Sequence, residues 1–370
     1  MANRLRASKR QNIQGVPEAE AELVCSNTHW PVHLADAACN WPGDSVDRID
    51  GPAVTTSVEA VYSTKTNWGG RHDNEDRSVI ASDVVDSCAL KFYMIGVLDG
   101  HDTAVASDMV SRELPPTLAQ KLKEGTYPVD EAYITTMAEI EERLKRNTHA
   151  SAGTCVLNCT VAGRFVWCAN LGDCRAALIS LEPVLTDQIV SKKALAPKVT
   201  HLTWLSRDHK ASAPSERQRI RAAGGEVMDG RVEGLEPSRT LGDFDVKVQV
   251  KKGVISIVPE VRLHAVGDGT DVAQAILVCA TDGVWDALSG QDICGLISAR
   301  KELAQLQAAV VAGIQCGERP ALATRKEMPR DQETEEVLSV LAEDIVHFSV
   351  AKGSRDDCTV TVALISVAPA

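Results

Sequence analysis

No apolar run in this 370-residue chain approaches the roughly 20 residues that cross a bilayer. No two of its 11 cysteines stand as C-x-x-C, and basic residues are outnumbered by acidic ones, 39 to 51. No internal repeat or low-complexity tract appears. Each absence excludes a class. Without a membrane-length run, no spanning segment is expected. Without paired spacing, an odd number of cysteines makes neither a zinc pattern nor a disulfide framework. Cys155, Cys159, Cys168 and Cys279 lie in strand-like apolar runs and read as core thiols of a reducing compartment. A formal net charge of -12 argues against a nucleic-acid binder, because phosphate backbones are held by clustered Lys and Arg. The start, MANRLRASKR, is basic, but Gln, Asn, Gly and Pro follow it rather than an apolar segment, so it reads as a solvated tail and not a secretory leader. Ala2 stands where N-myristoylation needs Gly. The expected setting is cytoplasmic or nuclear, away from membranes.

What is present is globular: 44% hydrophobic and 24% charged residues, enough for a sizeable core. Residues 1–55 hold Trp30, Trp41 and several prolines with little periodicity, and read as an irregular arm ahead of one domain over 56–368. Within that domain, FYMIGVLDGH at 92–101 is an apolar run expected to be a buried strand. Ala104–Leu114 is expected to be a helix broken by Pro115-Pro116. Tyr133, Met137, Ile140 and Leu144 recur at helical spacing. From Gly153, three strand-like runs follow one another as an antiparallel meander. Residues 182–200 read as an irregular insertion, 214–223 as a short helix closed by Gly224-Gly225, 254–258 and 275–280 as strands, 301–315 and 333–350 as helices, and 358–366 as a last strand. Helices come in blocks beside blocks of strands, which predicts an α+β fold with antiparallel sheets.

Acids gather at strand ends. Asp99 closes FYMIGVL, Asp173 follows FVWCANLG, Asp282 follows AILVCAT, and Asp356-Asp357 precede CTVTVALI. Asp286 lies four residues after Asp282, on the same face of a helical turn. Glu75-Asp76 precedes another strand. Singly, each reads as a turn or cap residue. Gathered in one site without cations they would repel one another, so such a site calls for a metal, and all-oxygen ligation selects Mg²⁺ or Mn²⁺ over zinc. A carboxylate bridging two such ions is machinery for phosphate-ester hydrolysis, and a guanidinium such as Arg71 grips phosphate oxygens in pairs.

In order and spacing these residues resemble the metal-dependent protein Ser/Thr phosphatases of type 2C, the PPM family. The pieces are RHDNED at 71–76, VLDGH at 97–101, GTCV at 153–156, ANLGDCRAAL at 169–178, DHK at 208–210, RIRAAGG at 219–225, RVEGLEPSRTLGD at 231–243, ATDGVWDALS at 280–289 and SRDDCTV at 354–360. The resemblance implies a central β-sandwich of two antiparallel sheets flanked by antiparallel helices, a four-layer αββα arrangement. It implies two Mn²⁺ or Mg²⁺ ions and a third, weaker one. Asp99 bridges the pair, the Gly100 carbonyl binds one ion, and Asp282 and Asp356 bind the other. Glu75 and Asp76 support the cluster through bound water, and Asp173 and Asp286 match the acids tied to the third ion. Arg71 holds the substrate phosphate, and His101 protonates the departing Ser or Thr oxygen while a metal-activated water attacks phosphorus directly. The implied partners are phosphorylated proteins, met by a monomer.

Departures are visible. Asp102-Thr103 stands where the family usually has Gly-Gly, Asp357 where it usually has Asn, and Pro237 interrupts a usually small, apolar run. An adaptor that keeps the fold without catalysis is the competing reading, favoured by the added acids and opposed by the full metal set. A metal-dependent nuclease or small-molecule phosphatase uses similar acids, and the acidic composition disfavours the former.

Overall fold

Successive side chains of a strand face opposite ways, and along the 92–101 run both ways lead into core. The computed structural model describes residues 54–66, 72–85, 90–125, 127–184, 196–315 and 329–370. On β3 (Leu90–His101), Phe92, Met94 and Leu98 pack with helical residues, whereas Tyr93, Ile95 and Val97 pack with residues of a second sheet. Burial on both faces is why the run reads as continuously apolar instead of alternating.

Two antiparallel sheets carry this arrangement. In one the order is β1 (Val54–Lys65), β11 (Cys358–Pro369), β10 (Ala273–Ala280), β6 (Arg175–Leu181) and β7 (Val199–Trp204). In the other it is β2 (Arg77–Val85), β3, β4 (Gly153–Ala162), β5 (Phe165–Leu171) and β9 (Glu260–Ala265), with the two-residue β8 (Leu241–Gly242) pairing β4. Ile95, Leu157, Leu277 and Ile365 belong to the apolar cluster between the sheets. Helices α1 (Val105–Glu124) and α2 (Val129–Asn147) cover the β3 sheet through Val110, Leu114, Leu118, Tyr133 and Met137. The other sheet is covered by α5 (Asp282–Trp285), α6 (Gly290–Ala299), α7 (Lys301–Gln315) and α8 (Pro329–Ala351). The layers are therefore helix, sheet, sheet, helix, as expected. No described helix is long and apolar enough to cross a membrane.

Between β7 and β9, α3 (Pro214–Ala222) and the short α4 (Phe244–Lys247) belong to a segment with a small core of its own, formed by Ala211, Ile220, Val232, Val254 and Ile255. Glu216 is buried there and its carboxylate takes both Arg219 and Arg239.

Four expectations are corrected. The three runs from Gly153 are not one meander: β4 pairs with β5, but the chain then crosses to the other sheet, where β6 pairs with β10 and β7. Helix α1 runs unbroken through Pro115 and Pro116. Each proline removes a backbone hydrogen bond and costs about 3 kcal/mol, but Leu114, Leu118 and Leu122 are fully buried on the sheet and each contributes on the order of 2 kcal/mol. Residues 254–258 form no strand. Val254 and Ile255 are both buried in the small core, and Ser256 makes only a single parallel bridge to Arg239. The 182–200 insertion ends in β7, whose Val199 pairs with Leu181, while 185–195 and residues 1–53 of the arm expected over 1–55 lie outside the described residues, Val54 and Thr55 already belonging to β1.

Candidate metal centre and active site

Asp99 continues the Tyr93, Ile95, Val97 alternation, so its carboxylate is delivered to the interior edge of the sandwich. Asp173 sits in the tight β5–β6 connection, pinned where the His209 N–H donates to the Gly172 carbonyl at 2.8 Å. Asp282 opens α5 directly after β10. Ligand atoms of Asp99, Asp173 and Asp282 all lie within 4.8 Å of one another. The electrostatics follow. Burial first, and then the charges of Asp76, Asp282, Asp173 and Asp356, push the Asp99 carboxyl well above the ordinary range. Burial and the fields of Asp173 and Asp356 raise Asp282 to about 7. Burial carries Asp76 to about 8 against the hydroxyl hydrogen bonds of Thr359 and Thr281. Asp173 and Asp356 are raised too, chiefly by burial. Oxygen-only donors, close together and unwilling to ionise side by side, fit a hard divalent cation.

The surrounding chain holds these acids in place. Thr281 Oγ1 donates to Asp76 Oδ2 at 3.0 Å. Glu75 N–H donates to Asp357 Oδ2 at 2.8 Å, and Asp357 N–H donates to Asp356 Oδ1 at 2.9 Å. Gly100 must lack a side chain, because a Cβ there would lie 2.3 Å from the Glu75 carbonyl oxygen and 2.7 Å from Ser107 Oγ. That contact brings the 72–76 loop against the end of β3.

His101 Nε2 donates to Asp243 Oδ1 at 2.7 Å. Burial works against a charged ring here, but the hydrogen bond and charge of Asp243, helped by Asp173 and Glu75, outweigh it and hold the His101 pKa above the usual imidazole value. The arrangement offers clustered carboxylates for cations beside a proton-bearing imidazole.

A family model described as Protein phosphatase 2C matches residues 61–315. The chain belongs to the protein phosphatase 2C family. A rice (Oryza sativa subsp. japonica) relative named "Probable protein phosphatase 2C 27" is 29% identical over 317 residues, covering 78% of this chain and 77% of its own. "Probable protein phosphatase 1N" of Mus musculus is also 29% identical, over 303 residues, covering 78% of this chain and 67% of its own. The crystal structure of a serine-threonine phosphatase 2C from Toxoplasma gondii has the same fold, with a TM-score of 0.53 at 21% identity, over 85% of this chain and 99% of that one.

In this 2C phosphatase the expected site residues fall into three groups. Asp99, Asp173 and Asp282 converge, with Asp76 and Asp356 in their field and Glu75 and Gly100 tied to their support. Asp286 stays at the rim. Its N–H donates to the Asp282 carbonyl at 2.8 Å, as a helical turn requires, but its side chain is 66% exposed and lies 3.6 Å from Lys210 Nζ. Arg71 lies outside the described residues.

The departures from the family pattern acquire structural reasons. Asp102 has φ 67°, a left-handed conformation that glycine adopts freely and Asp tolerates. The Asp357 carboxylate accepts the Glu75 N–H, whereas its bond to Asp356 comes from the backbone N–H, which any residue supplies. Two residues escaped the sequence reading. Asp243 and Lys210 both stand in the quoted motifs, but neither ends a long strand, the signal that singled out the other acids. Lys210 Nζ bridges Glu236 at 3.0 Å and Asp286, and the field of these acids and of Asp173 keeps its ammonium charged despite burial.

Proposed function

We propose that this 2C phosphatase hydrolyses phosphoserine and phosphothreonine in proteins, within a catalytic domain spanning 56–368, and that it does so with two Mn²⁺ or Mg²⁺ ions and a third, weaker one. The supporting observation is the triad Asp99, Asp173 and Asp282, Asp173 buried and the other two half-buried, with mutually close oxygens and raised pKa values. Asp99 would bridge the two principal ions, with the Gly100 carbonyl on one and Asp282 and Asp356 on the other. Glu75 and Asp76 would hold their water shell, and Asp173 and Asp286 the third ion. When bound, the cations would supply Lewis-acid polarisation of the phosphate and a water acidified toward neutral pH.

The rest of the work belongs to the chain. Arg71 would bind phosphate oxygens as a planar fork. His101 would carry the proton for the departing Ser or Thr oxygen, a group too basic to leave as an alkoxide. Asp76 and Asp173 are buried and Asp99 and Asp282 half-buried, which weakens screening of their charges by bulk water. The protein would work as a monomer in the cytoplasm or nucleus, as a hydrolase that acts in signalling by dephosphorylation.

The test is hydrolysis of a phosphothreonine peptide and of p-nitrophenyl phosphate with Mn²⁺, with and without chelator, for the wild type and Asp282→Asn. Activity abolished by chelator and by the substitution is expected. Activity that persists unchanged in chelator would overturn the reading.

A further inference from the structure

His101 has two ring nitrogens, and the structure commits one of them. Nε2 is 2.7 Å from Asp243 Oδ1, and a carboxylate oxygen only accepts, so the Nε2 proton is held there. Asp243 is itself immobilised on every side. It is 1% exposed, and its other oxygen, Oδ2, accepts Thr240 Oγ1. Its N–H donates to the Ala152 carbonyl at 3.0 Å, and its backbone stands at φ 52°, a conformation that an L residue keeps only where its surroundings fix it.

The segment that carries Asp243 is clamped from α2. Glu141 Oε2 accepts the Gly242 N–H at 2.8 Å, Glu141 Oε1 pairs with Lys247 Nζ at 2.6 Å, and Lys247 Nζ donates to the Thr240 carbonyl at 2.9 Å. Space for the contact is kept by Gly153. A Cβ there would lie 2.3 Å from His101 Nε2 and 2.4 Å from each Asp243 carboxylate oxygen. A helix, a loop and a glycine thus converge on one hydrogen bond.

We propose that Asp243 is the positioning residue of the general acid: by holding His101 through Nε2 it fixes the ring's orientation and tautomer, and leaves Nδ1 as the nitrogen that delivers the proton. The proposal rests on the reading of His101 as proton donor given above. The step balances simply. As the bond from phosphorus to the Ser or Thr oxygen breaks, its electron pair goes to that oxygen, which takes the proton from Nδ1. His101 is left neutral, with its remaining proton on Nε2 against Asp243, and solvent returns the lost one. The logic is that of the serine-protease triad, where a carboxylate selects the working nitrogen of the histidine, here with the nitrogens exchanged.

The test compares Asp243→Asn, Thr240→Val, His101→Ala and the double variant His101→Ala/Asp243→Asn on a phosphothreonine peptide and on p-nitrophenyl phosphate, all with Mn²⁺. General-acid contributions are about 10²-fold or more for poor leaving groups and small for aryl esters. Asp243→Asn is expected to lower kcat on the peptide by about 10-fold or more, nearly sparing KM and the aryl ester. Thr240→Val, which keeps the carboxylate but frees its second oxygen, is expected to show the same selectivity more weakly. The double variant is expected to match His101→Ala. Nitrogen-15 spectra should place the neutral His101 proton on Nε2 in the wild type and on both nitrogens in Asp243→Asn. Equal losses on both substrates for Asp243→Asn and Thr240→Val, or an unchanged tautomer, would overturn the proposal. Equal losses on both substrates for His101→Ala would instead overturn the general-acid reading beneath it.

Discussion

Ser151 Oγ donates to Asp102 Oδ2 at 2.6 Å, which ties the residue after His101 to the start of β4. Asp102 holds this contact from a left-handed backbone, φ 67°. Replacing it by Val puts a β-branched residue where L side chains crowd the carbonyl, and is expected to destabilise by about 1–2 kcal/mol. Asp102→Gly loses an exposed hydrogen bond but relieves the backbone, and is expected to stay within about 1 kcal/mol of the wild type. Urea unfolding of the three proteins checks the order.

Removal of divalent cations is expected to make stability fall as pH rises. Asp99, Asp76 and Asp282 have folded-state pKa values raised above the carboxyl value of 3.8, with Asp282 at about 7 and Asp76 at about 8. Between pH 4 and 8 the folded protein keeps protons that the unfolded chain has lost, so ionisation favours unfolding across that window. Added Mn²⁺ binds the ionised form, and should raise Tm more at pH 8 than at pH 6. Thermal unfolding with and without chelator at the two pH values reads this directly. A chelated protein more stable at pH 8 than at pH 6 would contradict it.

Asp282→Asn is expected to move activity and stability in opposite directions. Losing a carboxylate that faces Asp173 and Asp356 removes like-charge repulsion, so the chelated variant should be more stable than the chelated wild type at pH 8. Mn²⁺ affinity should fall more than about 100-fold, beyond what a supporting residue costs. Calorimetric titration and thermal unfolding test both halves.

Glu216→Gln strikes the segment between β7 and β9. Its buried carboxylate accepts from Arg219, Ser238 and Arg239, and these bonds overcome burial to hold its pKa at about 2. Neutralising it leaves two guanidinium groups without their partner and should cost about 3 kcal/mol. Because this pKa is depressed, the stability it contributes is present above the ordinary glutamate value of 4.5 and is lost as pH falls toward 2. Hydrogen exchange at 211–255, compared at pH 7 and pH 3, reads the effect.

Much of the layout was legible in the chain because strands buried on both faces leave continuous apolar runs, and a carboxylate at the end of such a run is conspicuous. Asp99, Asp173 and Asp282 stood out for that reason. Asp243 did not, because it follows a strand of only two residues and works from a left-handed turn that carries no periodicity. Pro115 misled because proline's local cost is written in the sequence, whereas the burial of Leu114 and Leu118 that offsets it becomes visible only with the sheet in place. Asp286 was placed correctly along the backbone, but no spacing rule says that its side chain turns to Lys210 and solvent.

The converging acids are anchored by both sheets: Asp99 lies on β3 of one, Asp282 opens the helix that follows β10 of the other, and Asp173 sits in the connection that passes between them. The cluster is therefore a gauge of how the two sheets are aligned. A core substitution that slides one against the other by about 1 Å, at Leu157 or Leu277 for example, shifts the acids relative to one another by a comparable amount, a misplacement able to cost about 100-fold in rate. Packing faults deep in the sandwich should register first at the end that carries these acids, while the global fold still holds.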